Sequence, residues 1–290
     1  MSTVELVTTE RAPSRPGILR VLRRPTARVG AVIVGIFLLL TVIAPEIAPY
    51  DPFDQDFGAA LQEPSLDHLF GTDQYGRDEL SRVMYGSRTA LLSILVADGI
   101  ALVIGTMLGL IAGFYGRWVD SAAMRLVDVL LAFPYLLLAL IIVAALGPSL
   151  FHSMIAIGIV ATPVYARVIR GQVLSVRTTE FVLAARAIGG SAMRIMLRHV
   201  LPNSFTPILV MATLQAGTVV VETAGLSFLG MGAQPPSPDW GSVLAEGQSY
   251  FLTSWWIATF PGLAIFMVVL GFNLLGDALR DHFDPRRRKE

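Results

Sequence analysis

The chain has 290 residues, of which 54% are hydrophobic and 15% are charged, with a formal net charge of zero. Soluble domains carry about 25% charged residues, so this composition excludes an ordinary soluble globule and indicates a membrane protein. The sequence has no cysteine, which excludes disulfide bonds and thiol chemistry, and its four histidines are too widely spaced to suggest a metal site. Lys289 is the only lysine, so no glycine-rich loop can offer a lysine to ATP. We therefore expect no cofactor in this chain.

The chain begins with a polar arm, residues 1–28, that contains six arginines and is predicted to be cytoplasmic. The apolar run over residues 29–44 predicts an anchor transmembrane helix that ends at Pro45. A cleaved signal peptide is the alternative reading of this region. It fits less well, because the charged leader is too long and Pro49 would follow the best cleavage site.

Residues 45–88 are polar and rich in Pro, Asp and Gly, which predicts an extracytoplasmic segment. Five hydrophobic runs follow, at residues 90–114, 121–146, 151–170, 206–226 and 257–279. Each is close to the ~20 residues that a helix needs to cross a bilayer. The predicted fold class is therefore all-α: a polytopic membrane protein with six transmembrane helices.

The basic residues indicate how these helices are oriented. Of the 22 basic residues, all but Arg77, Arg82 and Arg88 fall in segments on one side of the predicted membrane, including the basic tail 281–290. Because short cytoplasmic segments carry an excess of arginine and lysine, both termini are predicted to be cytoplasmic. The expected location is the cell membrane, with multiple crossings.

Polar residues inside the hydrophobic runs are costly and face a cavity or a partner. For Asp98 and Asp128 we expect structural pairing with neighbouring helices. Glu222, near the outer end of the fifth span, fits either a translocation pathway or gate, or a hydrogen bond to another helix. Ser227 and Phe228 follow it in the chain and are candidates for the same pathway or gate.

Small and breaking residues also mark the spans. Gly105, Gly109 and Gly113 lie four residues apart on the second span, a spacing that lets another helix approach closely. Pro134 and Pro163 interrupt the third and fourth spans, and we expect a kink at each.

Between the fourth and fifth spans, residues 178–202 predict a pair of short helices. Thr179 is placed to cap the first helix, with Glu180 at the positive end of its dipole. The pair Gly189-Gly190 breaks the helix, and Pro202 is expected to stop the second one. The two apolar faces are Phe181, Ala184, Ala185 and Ile188, then Met193, Met196, Leu197 and Val200. A hairpin with small residues on one face is suited to docking.

The hairpin carries a family resemblance. Ala184-Ala185, then Gly189, then Leu201-Pro202 resembles the "EAA" loop of bacterial ABC-importer permeases, although the leading glutamate of that loop is Leu183 here. The resemblance implies a coupling loop over residues 171–205 that sits in a groove of an ATPase subunit. The residues it implies for docking are Glu180, Ala184, Ala185, Arg186, Gly189, Leu201 and Pro202.

Further motifs narrow the resemblance. Gly71-Thr-Asp-Gln-Tyr-Gly-Arg-Asp78 is similar to a signature of the dipeptide/oligopeptide/nickel permeases, as are residues 165–171, 226–230 and 232–241. The chain most resembles the "C" permease of the peptide systems, with one anchor helix before a five-helix core at residues 89–280. The family's usual Arg-Glu before the hairpin is Arg177-Thr178 here, a second departure.

This resemblance implies a type I ABC importer of di- or oligopeptides, with nickel or other small peptide-like solutes as the alternative cargo. Its implied partners are a homologous "B" permease, two ATPase subunits that bind ATP and Mg, an extracytoplasmic substrate-binding protein and membrane lipid, and no nucleic acid. The chain itself is expected to have no catalytic residue and to be no enzyme.

Two other classes remain open at this point. A secondary transporter or channel would need no docking hairpin. An intramembrane enzyme would need a convergent pair of catalytic groups, and His152 and His199 are predicted on opposite sides of the membrane. His68, Asp78 and Glu79 of the outer segment could suggest acid–base chemistry, but a solvated, salt-bridged loop is the expected role.

Overall fold

The computed structural model describes residues 25–283, and within that range it contains α-helices and no β-strand. The helices are α1 (Pro25–Ile47), α2 (Glu79–Ser93), α3 (Gly99–Tyr115), α4 (Arg117–Ala132), α5 (Tyr135–Leu146), α6 (Leu150–Val176), α7 (Glu180–Ala187), α8 (Ala192–Ile195), α9 (Leu201–Asn203), α10 (Phe205–Phe228), α11 (Trp240–Gly247) and α12 (Trp256–Phe283). Two π-helical turns, Ile94–Asp98 and Met196–Val200, join α2 to α3 and α8 to α9. The all-α prediction is confirmed, while most of the predicted arm and basic tail lies outside the described residues.

Six segments of the described chain have the length and apolar composition of membrane spans. Five are continuous helices: α1, the joined helix Glu79–Tyr115, α6, α10 and α12. The sixth is the pair α4 and α5, which meet at a bend of 92°. Counted as one span, this pair gives the six crossings that the sequence predicts. The break lies at Phe133-Pro134, so the kink expected at Pro134 is confirmed.

Two helix boundaries and one proline differ from the predictions. The first helix does not end at Pro45: α1 continues to Ile47, and the Ala48 amide still bonds the Ala44 carbonyl at 3.0 Å. The second span begins at Glu79, well before residue 90, because its polar first turns are capped and paired rather than solvated. The third difference is Pro163, which does not interrupt α6. Membrane helices tolerate proline where neighbouring helices support the backbone.

The helices α3 and α6 pack most closely in the molecule, and the glycine stripe of α3 is the reason. An added Cβ at Gly105 would lie 2.8 Å from the Thr162 carbonyl oxygen, and one at Gly109 would lie 2.9 Å from the Arg170 amide nitrogen. Any larger residue would force the two backbones apart. The packing role predicted for these glycines is confirmed.

The segment before α2, the first turn of α2 and the helix α11 contribute to one buried ion-pair cluster. Its residues are Asp73, Arg77, Glu79, Arg82 and Glu246. The Arg77 guanidinium contacts Asp73 and Glu246, both at 2.5 Å, and Arg82 lies 3.1 Å from Glu246. Both arginine side chains are at most 1% exposed. We call this end of the molecule, residues 48–78 and 229–255 together with the first turn of α2, the loop end. The charged side chains of the cluster are paired with one another.

This burial corrects one expectation. Asp78 and Glu79 were expected in a solvated loop, yet they are 3% and 0% exposed. Asp78 lies against His68 and Ser81, and Glu79 lies beside Arg82. Salt bridging itself is confirmed, since His68 Nδ1 lies 2.9 Å from Asp78 Oδ1. Asp78 also caps α2 by accepting a bond from the Ser81 amide at 2.8 Å.

Two tryptophans fasten the loop end to the spans. The Trp256 indole donates to the Thr72 carbonyl, and the Trp240 indole donates to the Val83 carbonyl, each at 2.9 Å. Asp239 caps α11 by accepting bonds from the amides of its first turn. Burial raises the pKa of the Asp239 carboxyl above its ordinary value.

Candidate functional site

The predicted hairpin is present at the other end of the molecule, between α6 and α10. Its first arm is α7, which begins after Thr179 as predicted. The side-chain cap is wrong, however: the Thr179 hydroxyl donates to the Val176 carbonyl at 2.7 Å and makes no bond to the helix that follows. Gly189 then turns the chain with φ of 82°, and the Gly190 amide closes the turn on the Ala185 carbonyl at 3.0 Å.

The second arm comprises α8, the π turn and α9, so it is helical from Ala192 to Asn203. Pro202 was expected to stop this arm. That expectation is wrong, because the helix continues to Asn203, one residue beyond the proline. A proline ring clashes with the carbonyl four residues earlier in a regular helix. The π turn that ends at Val200 widens the backbone just ahead of the proline and accommodates it.

One face of the hairpin is buried on the ends of the spans. Its residues Val182, Ala185, Ile195, Met196 and Val200 join one hydrophobic cluster with Leu110, Phe114, Ile169, Val173, Val176 and Ile208 of α3, α6 and α10. Val182 and Val200 are completely buried. The hairpin is therefore seated on three helices and is not a free loop.

The opposite face is apolar and uncovered. Its residues are Phe181, Leu183, Ala184, Ile188, Met193 and Leu197. Ile188 is 87% exposed, and Met193 is 57% exposed. Of the four residues predicted to form the face of the first arm, Ala185 alone turns inward, and it is 9% exposed. The hairpin thus has one apolar face that the described residues cover and a second set of apolar side chains that they leave exposed.

Arginines tie the hairpin and the end of α6 to their neighbours. The Arg177 guanidinium donates to the Gly113 carbonyl at 2.8 Å, and the Arg186 guanidinium lies 5.3 Å from the centre of the Phe114 ring. Arg170 binds Asp120 through two nitrogens, at 2.5 and 2.7 Å. A fork of this kind fixes direction as well as distance. The seat of the hairpin is consequently rigid.

The other docking residues predicted for the hairpin lie at its surface. Glu180, Arg186, Gly189 and Pro202 are exposed, and Leu201 is half-buried. Glu180 is in the first turn of α7 and Arg186 is in its last turn. Each charge is opposite in sign to the nearby end of the helix dipole, so both interactions are favourable. Their contact with a partner stays a prediction.

The carboxylates within the spans have partners that the sequence did not indicate. The Tyr165 hydroxyl donates to buried Asp98 at 2.5 Å, and Arg167 lies 2.9 Å from Asp128, so the predicted pairing is confirmed for both. Glu222 accepts a bond of 2.5 Å from the Tyr135 hydroxyl. A tyrosine at the first position after Pro134 could have suggested this pair, because it sits where the broken span turns.

The two residues grouped with Glu222 differ from it in environment. Ser227 is buried and accepts a bond from the Ala233 amide at 3.1 Å, which fastens the loop after α10. Phe228 is 39% exposed. A pathway or gate role for Glu222, Ser227 and Phe228 stays a prediction. Within residues 25–283, no group of three or more carboxylates and histidines is placed to hold a metal ion.

These features define the class: an all-helical, multi-pass membrane protein with a seated hairpin at one end. The chain belongs to the family of binding-protein-dependent transport system inner membrane components, the membrane permease subunits of ABC transporters, whose family model matches residues 105–289. A second model, the N-terminal TM domain of oligopeptide transport permease C, matches residues 17–64. The family that the motifs predict is confirmed.

Named relatives cover nearly the whole chain. The chain is 45% identical to the dipeptide transport system permease protein DppC of Alkalihalophilus pseudofirmus, over 96% of this chain and 91% of that protein. It is 44% identical to the probable D,D-dipeptide transport system permease protein DdpC of Escherichia coli strain K12, over 90% and 88%. The chain is also 44% identical to the glutathione transport system permease protein GsiD of Escherichia coli O1:K1 / APEC, over 91% of this chain and 88% of that protein.

The fold also has a counterpart among solved structures. A chain of the MetNI methionine ABC transporter, in an inward-facing conformation, matches with a TM-score of 0.58 at 17% identity. The match covers 70% of this chain and 97% of that chain. At this identity the likeness concerns the fold alone, and it supports the type I permease fold for the described helices.

Proposed function

We propose that this chain is one of two permease subunits in an ATP-driven type I importer of di- or oligopeptides. It forms half of the translocation pathway and is coupled to ATPase subunits through the hairpin. The second permease is a homologous "B" subunit, and an extracytoplasmic binding protein delivers the substrate. Two partner ATPases bind ATP and Mg and perform the hydrolysis, so the chain itself is no enzyme.

The two-faced hairpin is the observation that carries this proposal. One apolar face is seated on α3, α6 and α10, so a push on the hairpin reaches three helices at once. The other apolar face includes Ile188, which is 87% exposed and lies in the segment between α6 and α10. A helix with an exposed apolar face can dock in a groove of a partner protein, which is the helix-in-groove mode of recognition.

The positions of the arginines support a cytoplasmic hairpin. The hairpin region contains Arg177, Arg186, Arg194 and Arg198, and short positive loops remain on the cytoplasmic side. The loop end, with Arg77 and Arg82 neutralised in buried ion pairs, then faces outward. This orientation puts both termini in the cytoplasm, and the coupling loop, residues 171–205, where ATP is available.

The peptide substrate is supported by the relatives, several of which are named for dipeptide transport. A relative of equal identity is named for glutathione, which is itself peptide-like. Nickel or another small peptide-like solute is the second candidate cargo. Selection among these cargoes belongs to the binding protein.

The test is to produce the chain with its partner permease, ATPases and binding protein and to reconstitute them in vesicles. We expect ATP-dependent uptake of a labelled dipeptide that requires every component. Ile188→Glu should abolish uptake and release the ATPases, whereas Ser121→Glu, at an exposed position on α4 outside the coupling loop, should not. Retention of both ATPases and of full uptake by Ile188→Glu would contradict the proposed coupling.

A further inference from the structure

One face of α10 stays open in the described chain and carries a carboxylate. Thr218 and Val221 are exposed, and Glu222 is half-buried beside them. A Cβ added at Gly225 would meet no atom within 4 Å, so space adjoins the helix there. Because these positions are three or four residues apart, they form a single stripe along the helix. Lipid is a costly neighbour for a carboxylate, so this stripe faces water or another protein.

Among the described residues, only one of the two oxygens of the Glu222 carboxylate accepts a hydrogen bond. The Tyr135 hydroxyl donates to Oε2 at 2.5 Å. The second oxygen, Oε1, has no hydrogen bond with any residue in the described range, and it is not buried. One oxygen of an oriented carboxylate therefore points to the open stripe.

Glu222 also differs from Asp98, Asp120 and Asp128. Asp120 and Asp128 are paired with Arg170 and Arg167, and Asp98 is 7% exposed against its tyrosine. Neither α5 nor α10 contains an arginine, lysine or histidine. The negative charge of Glu222 thus has no cation from this chain within the described residues, and Oε1 is available to one.

We propose that Glu222 is a countercharge site in the translocation pathway and binds the ammonium groups of the passing substrate. Tyr135 is the positioning residue, since its hydroxyl orients the carboxylate from the first turn of α5. A peptide carries an α-ammonium, and a lysine-containing peptide carries a second one. The inference rests on the proposed peptide import and adds the chemistry that the pathway recognises.

The experiment uses the complete importer in vesicles, with two labelled dipeptides that differ in carrying a lysine or a glutamate side chain. Each peptide is supplied at a concentration that saturates the binding protein. Glu222→Gln should lower uptake of the lysine peptide about tenfold, the effect of losing one charged hydrogen bond, and that of the glutamate peptide less. Glu222→Asp should retain most uptake, because the charge remains.

Tyr135→Phe is the complementary variant, because it removes the hydrogen bond and leaves the carboxylate, whereas Glu222→Gln keeps an oxygen that can accept the bond and removes the charge. The proposal predicts a loss of uptake for Tyr135→Phe that is clearly smaller than the loss for Glu222→Gln, because the charge remains but is no longer oriented. Equal losses in Tyr135→Phe and Glu222→Gln would overturn it in favour of a bond that merely joins α5 to α10. Equal fractional losses for the two peptides, or no loss at all, would overturn it as well.

A cation of the partner permease is the competing occupant of the stripe. In that case Glu222→Gln would reduce co-purification of the partner permease, and this result would also overturn the proposal. We expect full assembly in Glu222→Gln. A wild-type importer that takes up no peptide would overturn the proposed substrate and with it the ammonium site, whereas normal wild-type uptake that is unchanged in Glu222→Gln would overturn the ammonium site alone.

Discussion

The two ends of the molecule satisfy their side chains in opposite ways. The loop end carries charges, and it buries them in pairs: Arg77, Arg82 and Glu246 lie in one cluster under α11. The hairpin end carries apolar residues, and it leaves half of them exposed, with Ile188 and Met193 at its surface. Among residues 25–283, the charged cluster of the loop end is buried, while the apolar surface of the hairpin end is left uncovered.

The difference indicates where the chain is rigid and where it communicates. A buried ion pair is strongly destabilising to break from one side, so the loop end holds α2 and α11 together as one body. In the proposed function the hairpin transmits force instead, because one face is packed on the spans and the other is exposed among the described residues. The proposal thus gives the molecule a closed end and a coupling end.

The largest effect is expected when the closed end loses a charge. Arg77→Ala would leave the largely buried carboxylates of Asp73 and Glu246 with Arg82 in place of two arginines, at a cost of about 3–5 kcal/mol. The thermal unfolding temperature of the purified importer in detergent should fall markedly. Arg88→Ala, which removes an exposed arginine on the following helix α2, is the control and should leave the unfolding temperature unchanged. Equal unfolding temperatures for the two variants would mean that the cluster contributes nothing to the fold.

A smaller effect is expected at the exposed face of the hairpin. Ile188→Glu places a charge where the groove of the ATPase is expected to be apolar, and truncating or opposing one central contact costs about 2 kcal/mol, roughly thirtyfold in affinity. The variant should fold normally, because the side chain is 87% exposed. Pull-down of the ATPases measures the loss, and undiminished recovery would argue against docking at this face.

The smallest effect is expected at Leu183, where the family loop has a glutamate. Leu183 is 52% exposed, and a single surface charge contributes about 0–1 kcal/mol. Leu183→Glu should therefore change uptake and ATPase recovery very little. A marked gain in either measurement would show instead that the natural leucine weakens docking in this subunit.

Much of the fold could be predicted because its signals are local. The apolar runs and the glycine spacing of α3 depend on neighbouring residues in the chain, and the structure agrees with the helices and packing that they predict. The orientation that the arginine distribution indicates stays a prediction. The boundaries were less accurate. The helix that contains the second span begins at Glu79, where Arg82 pairs with distant Glu246, and no local pattern contains that contact.

The site divides in the same way. The hairpin and its turn at Gly189 followed from periodicity and glycine, but which face turns inward depends on α3, α6 and α10. Ala185 therefore belonged to a predicted docking face and proved to be buried. The Tyr135–Glu222 bond joins residues far apart in the chain, so only the packing of α5 on α10 reveals it.

Crosslinking in the assembled importer tests the central claim, that the hairpin end is the surface that meets the ATPases. The natural chain has no cysteine, so single cysteines can be placed at Ile188 on the hairpin and at Leu66 on the loop end, which is 95% exposed. A short bifunctional maleimide should join Ile188→Cys to an ATPase subunit that carries a cysteine in its groove, and should not join Leu66→Cys to it. A crosslink from Leu66→Cys, with none from Ile188→Cys, would contradict both the orientation of the chain and the role of the hairpin.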